Sequence, residues 1–376
     1  MKIACYTDIH NQQTMLNMPT VLRQSAVTAA EQTAAEWGKA DISIVGGDNI
    51  SDYPYWDRSC ALPYENWLDI KGKLTENFKR TAVGGRVLYV SGNNDLILGD
   101  LPTADNPPYN ACDFYNTGPM KETLGELTEG EYYGVYAKSK GKQAGIYHLA
   151  FHYTVDGTDF FGINIDPDEA FNNHDCCYNP ESLEWLKHKL SKTDPNGDKL
   201  IFVIGHVSAT VRRTDGTVLY DCDMDKKRQK ALKEAFAGHR NLFYLYGHVH
   251  GQDYLRRHSW EGVLHFDIGG RLMETPGGII TAEQKKSIGF HTVHMGGLRP
   301  FATDRPFEYF ENDGIAGILP GTEKAIAYES TGTPKVAQYL LIETFSDRVV
   351  FSYRNTGTLP GFTPDDKPEK YEVDIL

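Results

Sequence analysis

The amino-acid sequence predicts an α/β protein built mainly as one large domain. Short apolar runs alternate with helix-forming stretches, and five of those runs break off into acid, amide or imidazole side chains. At 376 residues and 40% hydrophobic content, the chain is long and apolar enough to bury a sizeable core.

Residues 2–6, KIACY, read as a short buried strand running into Asp8 and His10. The stretch 20–39 carries Leu22, Ala26, Ala30 and Trp37 at helical spacing, and 41–45 follows as a second strand ending in Gly46, Gly47 and Asp48. This is a β-α-β unit. A helix over about 65–80 leads to a third strand, 86–90, which ends in Ser91, Gly92, Asn93, Asn94 and Asp95. The segment 96–131, rich in Pro, Asn and Gly, is expected to be a long surface loop. Stretches 132–138, 145–153 and 159–165 read as neighbouring antiparallel strands, followed by a polar loop over 166–179. An amphipathic helix over 180–190 sets Leu183, Leu186 and Leu190 on one face, and strand 200–204 ends in Gly205 and His206. A helix near 226–237 precedes 244–250, YLYGHVH, where Gly247 turns the chain and His248 and His250 stand two residues apart. Strands are expected at 254–257 and 263–268, then a glycine-rich segment, then a hairpin over 338–344 and 348–354 and a last strand over 371–376. The expected division is a main domain over 1–295 and a β-rich extension over 296–376 packed on it, with no linker between them.

Composition narrows the function. No run of 18 apolar residues exists to span a bilayer, and strand-like residues from Lys2 leave no room for a cleavable leader, so no membrane partner and a cytoplasmic location are expected. Six cysteines without C-x-x-C spacing argue against a disulfide framework or a zinc finger. A net charge of −13 makes long nucleic acid a poor partner, whereas acids clustered around a cationic metal site would account for part of it. Nothing in the sequence sets the oligomeric state.

In α/β sheets ligands sit beyond the carboxyl ends of the strands, so the strand-end residues are expected to converge. Taken singly, Asp8, Asp48 and His206 read more readily as strand-end caps or hydrogen-bonded loop residues than as ligands. Together Asp8, His10, Asp48, Asn93, His206, His248 and His250 supply two carboxylates, one amide oxygen and four imidazoles. That is too many for one tetrahedral ion and suits two, roughly 3.5–4 Å apart in two-metal hydrolases. Mixed N and O donors without thiolate point to Mn, Fe or Zn.

These residues resemble the calcineurin-like metallophosphoesterase pattern D-x-H, G-D, G-N-H-D/E, G-H and G-H-x-H, in this order. The resemblance covers about residues 1–270. It implies a four-layer sandwich of two mixed β-sheets flanked by helices. It further implies one ion on Asp8, His10 and His250, the other on Asn93, His206 and His248, and Asp48 bridging both. The expected activity is two-metal-dependent hydrolysis of a small phosphate ester, phosphodiesters favoured, by a metal-bound hydroxide, with Asp48, Asn94 and Asp95 as the catalytic set. Phosphomonoester hydrolysis and a non-catalytic scaffold of the same fold are the alternatives. The chain departs from the pattern at Asn94, where the family usually carries a histidine. Asn94 cannot give up a proton near neutral pH, and it reads either as a turn residue or as a group touching substrate. His174 is a candidate replacement acid or a solvated loop residue. Arg212 and Arg213 are a candidate phosphate clamp or a solvated pair.

Overall fold

The computed structural model describes residues 1–10, 24–49, 64–93, 95, 130–136, 146–166, 178–207, 211–212, 218–220, 224, 226–248, 266–268, 279–280, 290–298, 338–356 and 370–375. Two seven-stranded mixed sheets carry the fold. The first contains β1 (Lys2–Tyr6), β2 (Ile42–Val45), β3 (Val87–Tyr89), β12 (Ile279–Ile280), β14 (Gln338–Thr344), β15 (Arg348–Asn355) and β16 (Lys370–Asp374), in the order β12-β16-β15-β14-β1-β2-β3. The second contains β4 (Glu131–Tyr136), β5 (Ile146–Val155), β6 (Thr158–Ile163), β7 (Ile201–Ile204), β10 (Leu242–Tyr246), β11 (Phe266–Ile268) and β13 (His291–His294), in the order β11-β13-β10-β7-β6-β5-β4. A small hairpin of β8 (Val211–Arg212) and β9 (Val218–Tyr220) lies outside both sheets.

Strands β1, β2 and β3 run parallel, as do β6, β7, β10 and β13. Parallel strands covered on both faces tolerate no alternation, which is why ISIV, IFVI and LFYLY are buried throughout. Helices α1 (Gln24–Trp37) and α2 (Tyr64–Lys79) cover the first sheet. There Tyr6 stacks on Phe78 at 4.1 Å and donates to Thr33 at 3.0 Å. Buried Ala26, Ala29 and Ala30 let α1 lie close, and Asn77 of α2 donates to the Ala26 carbonyl. Helices α3 (Pro180–Thr193) and α4 (Lys226–Phe236) cover the second sheet, where Phe236 packs on Tyr244. Asn179 caps α3 by accepting from the Glu181 and Ser182 amides, with Pro180 at the first helical position.

The sheets meet face to face on a ladder of rings. Phe160, Phe202, Phe243 and His291 hold paired register positions on β6, β7, β10 and β13, with centroids 5.5, 5.7 and 4.7 Å apart. Phe243 also meets Phe351 of the opposite sheet at 5.2 Å, so it packs in two directions. Phe243→Ala is therefore expected to destabilise by about 3–5 kcal/mol, read as a fall in the denaturant midpoint.

Three strands beyond position 296, β14, β15 and β16, belong to the first sheet. Strand β14 pairs antiparallel with β1 from Lys2↔Glu343 to Cys5↔Leu340. Strand β13, inside the second sheet, was not anticipated in the glycine-rich segment, because HTVH looks polar. Its histidines are buried: His291 stacks on Phe243, and the His294 carbonyl accepts from Tyr353. Residues 254–257, expected as a strand, lie outside the described residues.

Candidate metal centre

Chain segments leaving β1, β2 and β3 of the first sheet and β7 and β10 of the second meet at the seam between the sheets, at the carboxyl ends of their parallel strands. Asp8 and His10 follow β1, Asp48 follows β2, Asn93 follows β3, His206 follows β7 and His248 follows β10.

Two groups form there. Asp8, His10 and Asp48 offer one ligand atom each within 4.8 Å of one another, and so do Asp48, His206 and His248. Asp48 belongs to both. Its Oδ2 lies 3.4 Å from His10 Nε2 and 3.3 Å from His206 Nε2, so one oxygen stands between imidazoles brought by different sheets. Asn93 Oδ1 accepts from His248 Nδ1 at 3.0 Å, which sets the amide oxygen against the second group. Asp8, His10, Asp48 and His206 are each no more than 2% exposed, while His248 is half-buried.

The loops hold these side chains in place. His206 Nδ1 donates to the Gly46 carbonyl at 2.8 Å, which fixes the ring and turns Nε2 toward Asp48. Asp8 accepts from Thr7 Oγ1 at 2.9 Å and from the His248 amide at 3.0 Å, tying the β1 and β10 ends together. Gly247 makes that approach possible, because a Cβ there would fall 2.2 Å from Thr7 Oγ1 and 2.6 Å from Asp8 Oδ2.

Asp95, expected among the catalytic residues, accepts from the amides of Gly92 (2.9 Å) and Asn49 (2.8 Å) and from the Asn49 side chain (3.1 Å). It fastens the β2 and β3 ends to each other. His250, Asn94, His174 and Arg213 lie outside the described residues, as does the side chain of Arg212. Asn164, which the sequence reading passed over, accepts from the Ser91 amide at 2.8 Å, and Ser91 Oγ accepts from the Ile165 amide. It follows the end of β6, so the strand-end rule that found the other residues applies to it too.

The electrostatics are those of a cation site. Burial pushes the Asp48 carboxyl up, but the imidazoles of His206, His10 and His248 outweigh it and hold it well below the usual carboxylate range. Burial pulls His206 down, yet the Asp48 carboxylate beside it keeps it up at about 9. The donor set fits a metal cation in either group. His206 Nε2 is buried without a well-directed hydrogen bond, and a single carboxylate oxygen serves both groups. A metal ion there would displace a proton from His206.

The family model for calcineurin-like phosphoesterases matches residues 1–252, two-thirds of the chain and all of the strands that build the site. The chain belongs to the calcineurin-like phosphoesterase family. No curated protein matches it in sequence. Among solved structures, this calcineurin-like chain is similar to GAP50, the anchor in the inner membrane complex of Plasmodium, at 11% identity and TM-score 0.45, covering 100% of this chain and 89% of that one. It is similar to a putative 5'-nucleotidase from Staphylococcus aureus in complex with alpha-ketoglutarate, at 10% identity and TM-score 0.39, covering 100% of this chain and 54% of that one. Vps29 from Entamoeba histolytica complexed with zinc gives 9% identity, TM-score 0.30 and 100% of both chains.

Proposed function

We propose that the chain is a two-metal-dependent hydrolase of small phosphate esters, phosphodiesters favoured. The observation that carries this is the Asp48 carboxylate oxygen between imidazoles of two three-residue groups. Asp8, His10 and Asp48 would hold one ion, with His250 by the motif, and Asp48, Asn93, His206 and His248 the other. Manganese, iron and zinc are the candidates. Bound there, two ions supply water activated near neutral pH and positive charge for the phosphoryl oxygens.

The chain's own part is geometric. Asp48 fixes the spacing of the two groups, while the Gly46 carbonyl and Asp95 fix the directions of its neighbours. Asp8, His10, Asp48 and His206 are buried, so their charges act at reduced dielectric. Protein purified without chelator is expected to carry about two equivalents of transition metal by elemental analysis, and its melting temperature to rise when the stripped protein receives Mn or Zn. Metal-free protein with no such rise would sink the reading.

Asn94 favours a second reading, in which the fold and metals persist and the chemistry is weak or lost. General-acid help for a leaving oxygen is worth about a hundred- to ten-thousand-fold, and an amide does not give it. Aryl phosphodiesters are therefore expected to be hydrolysed measurably and unactivated alkyl monoesters poorly, with Asn94→His narrowing the gap. A leaving-group series on both proteins at saturating metal checks this. A flat dependence on leaving-group pKa in the wild type would reveal another acid, for which loss of activity in His174→Ala is the test. No hydrolysis at all, with two metals bound, would favour the scaffold.

A further inference from the structure

We infer that Tyr178, backed by Tyr244, is the positioning residue that sets the His206 loop for metal. Neither tyrosine belongs to the family's motifs, and the inference rests on the two-metal reading above. Both side chains are completely buried behind the loop that follows β7. The Tyr178 hydroxyl accepts from the His206 amide at 3.0 Å and from the Val207 amide at 3.0 Å. The Tyr244 hydroxyl donates to the Val207 carbonyl at 2.6 Å. The two hydroxyls lie 2.8 Å apart, so Tyr244 braces Tyr178 as well as the Val207 carbonyl. The Tyr178 oxygen thus accepts from two amides, while its proton faces the Tyr244 oxygen at 2.8 Å and the Val207 carbonyl at 3.4 Å.

Two successive backbone amides thus converge on one phenol oxygen where a sheet or helix partner would ordinarily stand. The imidazole of His206 is fixed from the other side by the Gly46 carbonyl. Backbone and ring are pinned independently, and Nε2 faces Asp48 at 3.3 Å as a result. Tyr178 is itself held. Its carbonyl accepts from Arg228 Nε of α4 at 2.9 Å, and its backbone bridges Ile165 beside the end of β6. Gly205 admits the pair, since a Cβ there would lie 2.3 Å from the Tyr244 hydroxyl and 2.6 Å from that of Tyr178.

The consequence is selective. Removing the Tyr178 hydroxyl strands two buried amides and leaves the His206 backbone held only through its carbonyl bond from Gly247 in the described contacts, while the Asp8 and His10 amides keep their bonds to the Gly47 and Asp48 carbonyls. Loss of a partner that orients a metal ligand typically weakens metal affinity by about 10- to 100-fold. The metal-stripped full-length chain is titrated with cobalt(II), followed by calorimetry and visible absorption, alongside His206→Ala and His10→Ala to assign the two ions. Tyr178→Phe is expected to weaken, by about 10- to 100-fold, the same ion that His206→Ala abolishes, leaving the other at wild-type affinity. Tyr244→Phe leaves both amides bonded to Tyr178, and is expected to weaken that ion less. Should Tyr178→Phe fail to fold, Tyr244→Phe decides by the same criterion. A lower melting temperature with both affinities unchanged, or both ions weakened equally, makes the tyrosines merely structural and overturns the inference. A wild type that takes up no cobalt overturns the two-metal reading, and the inference with it.

Discussion

Asp48→Asn is expected to abolish most of the activity while the fold persists. The carboxylate oxygen that stands 3.4 Å from His10 and 3.3 Å from His206 serves both groups, so one substitution removes negative charge from each. Loss of a single charge-stabilising group in an active site costs about a hundred- to a thousandfold in kcat, and here the loss is counted at two ions at once. The fold has little reason to fail, because Asn preserves the side chain's shape and tolerates the left-handed backbone that Asp48 adopts at φ 50°. Elemental analysis and kcat/KM on the same preparation check the prediction. A variant retaining most of the wild-type rate would show that Asp48 does not bridge.

Gly92→Ala is expected to damage the site almost as severely, although Gly92 contributes no donor. A Cβ at this position would sit 2.1 Å from Asp48 Oδ1 and 2.2 Å from the Asp48 backbone nitrogen. Backbone cannot yield as a flexible side chain does, so the β2 and β3 ends must separate, breaking the Asn49 bonds to Asp95 as they move. Metal content and activity should fall together, and the melting temperature with them. Gly72→Ala is the contrast. It lies within α2 with nothing within 4 Å of its added Cβ, and is expected to leave activity untouched and stabilise by about 0.5–1 kcal/mol.

The site was legible in the sequence to the extent that strand ends mark it. Runs such as ISIV and LFYLY announce themselves because burial on both faces demands apolar residues throughout, and the polar residue after each is then conspicuous. Strand β13 was hidden for the opposite reason: His291 and His294 are buried by ring stacking and backbone contacts that composition does not reveal. The pairing of β14 with β1 joins residues some 340 positions apart, and no local pattern encodes it. Tyr178 and Asn164 escaped notice because their roles are exerted on backbone amides of loops remote in sequence.

Asp8, His10, Asp48 and His248 all hold the backbone at φ between 48° and 69°, a region that side-chain-bearing residues enter at a cost. The surrounding packing and hydrogen bonds meet that cost, so these four donors are aimed by the turn of the chain as well as by their side chains. Replacing any of them by a β-branched residue would therefore unmake the turn along with the donor.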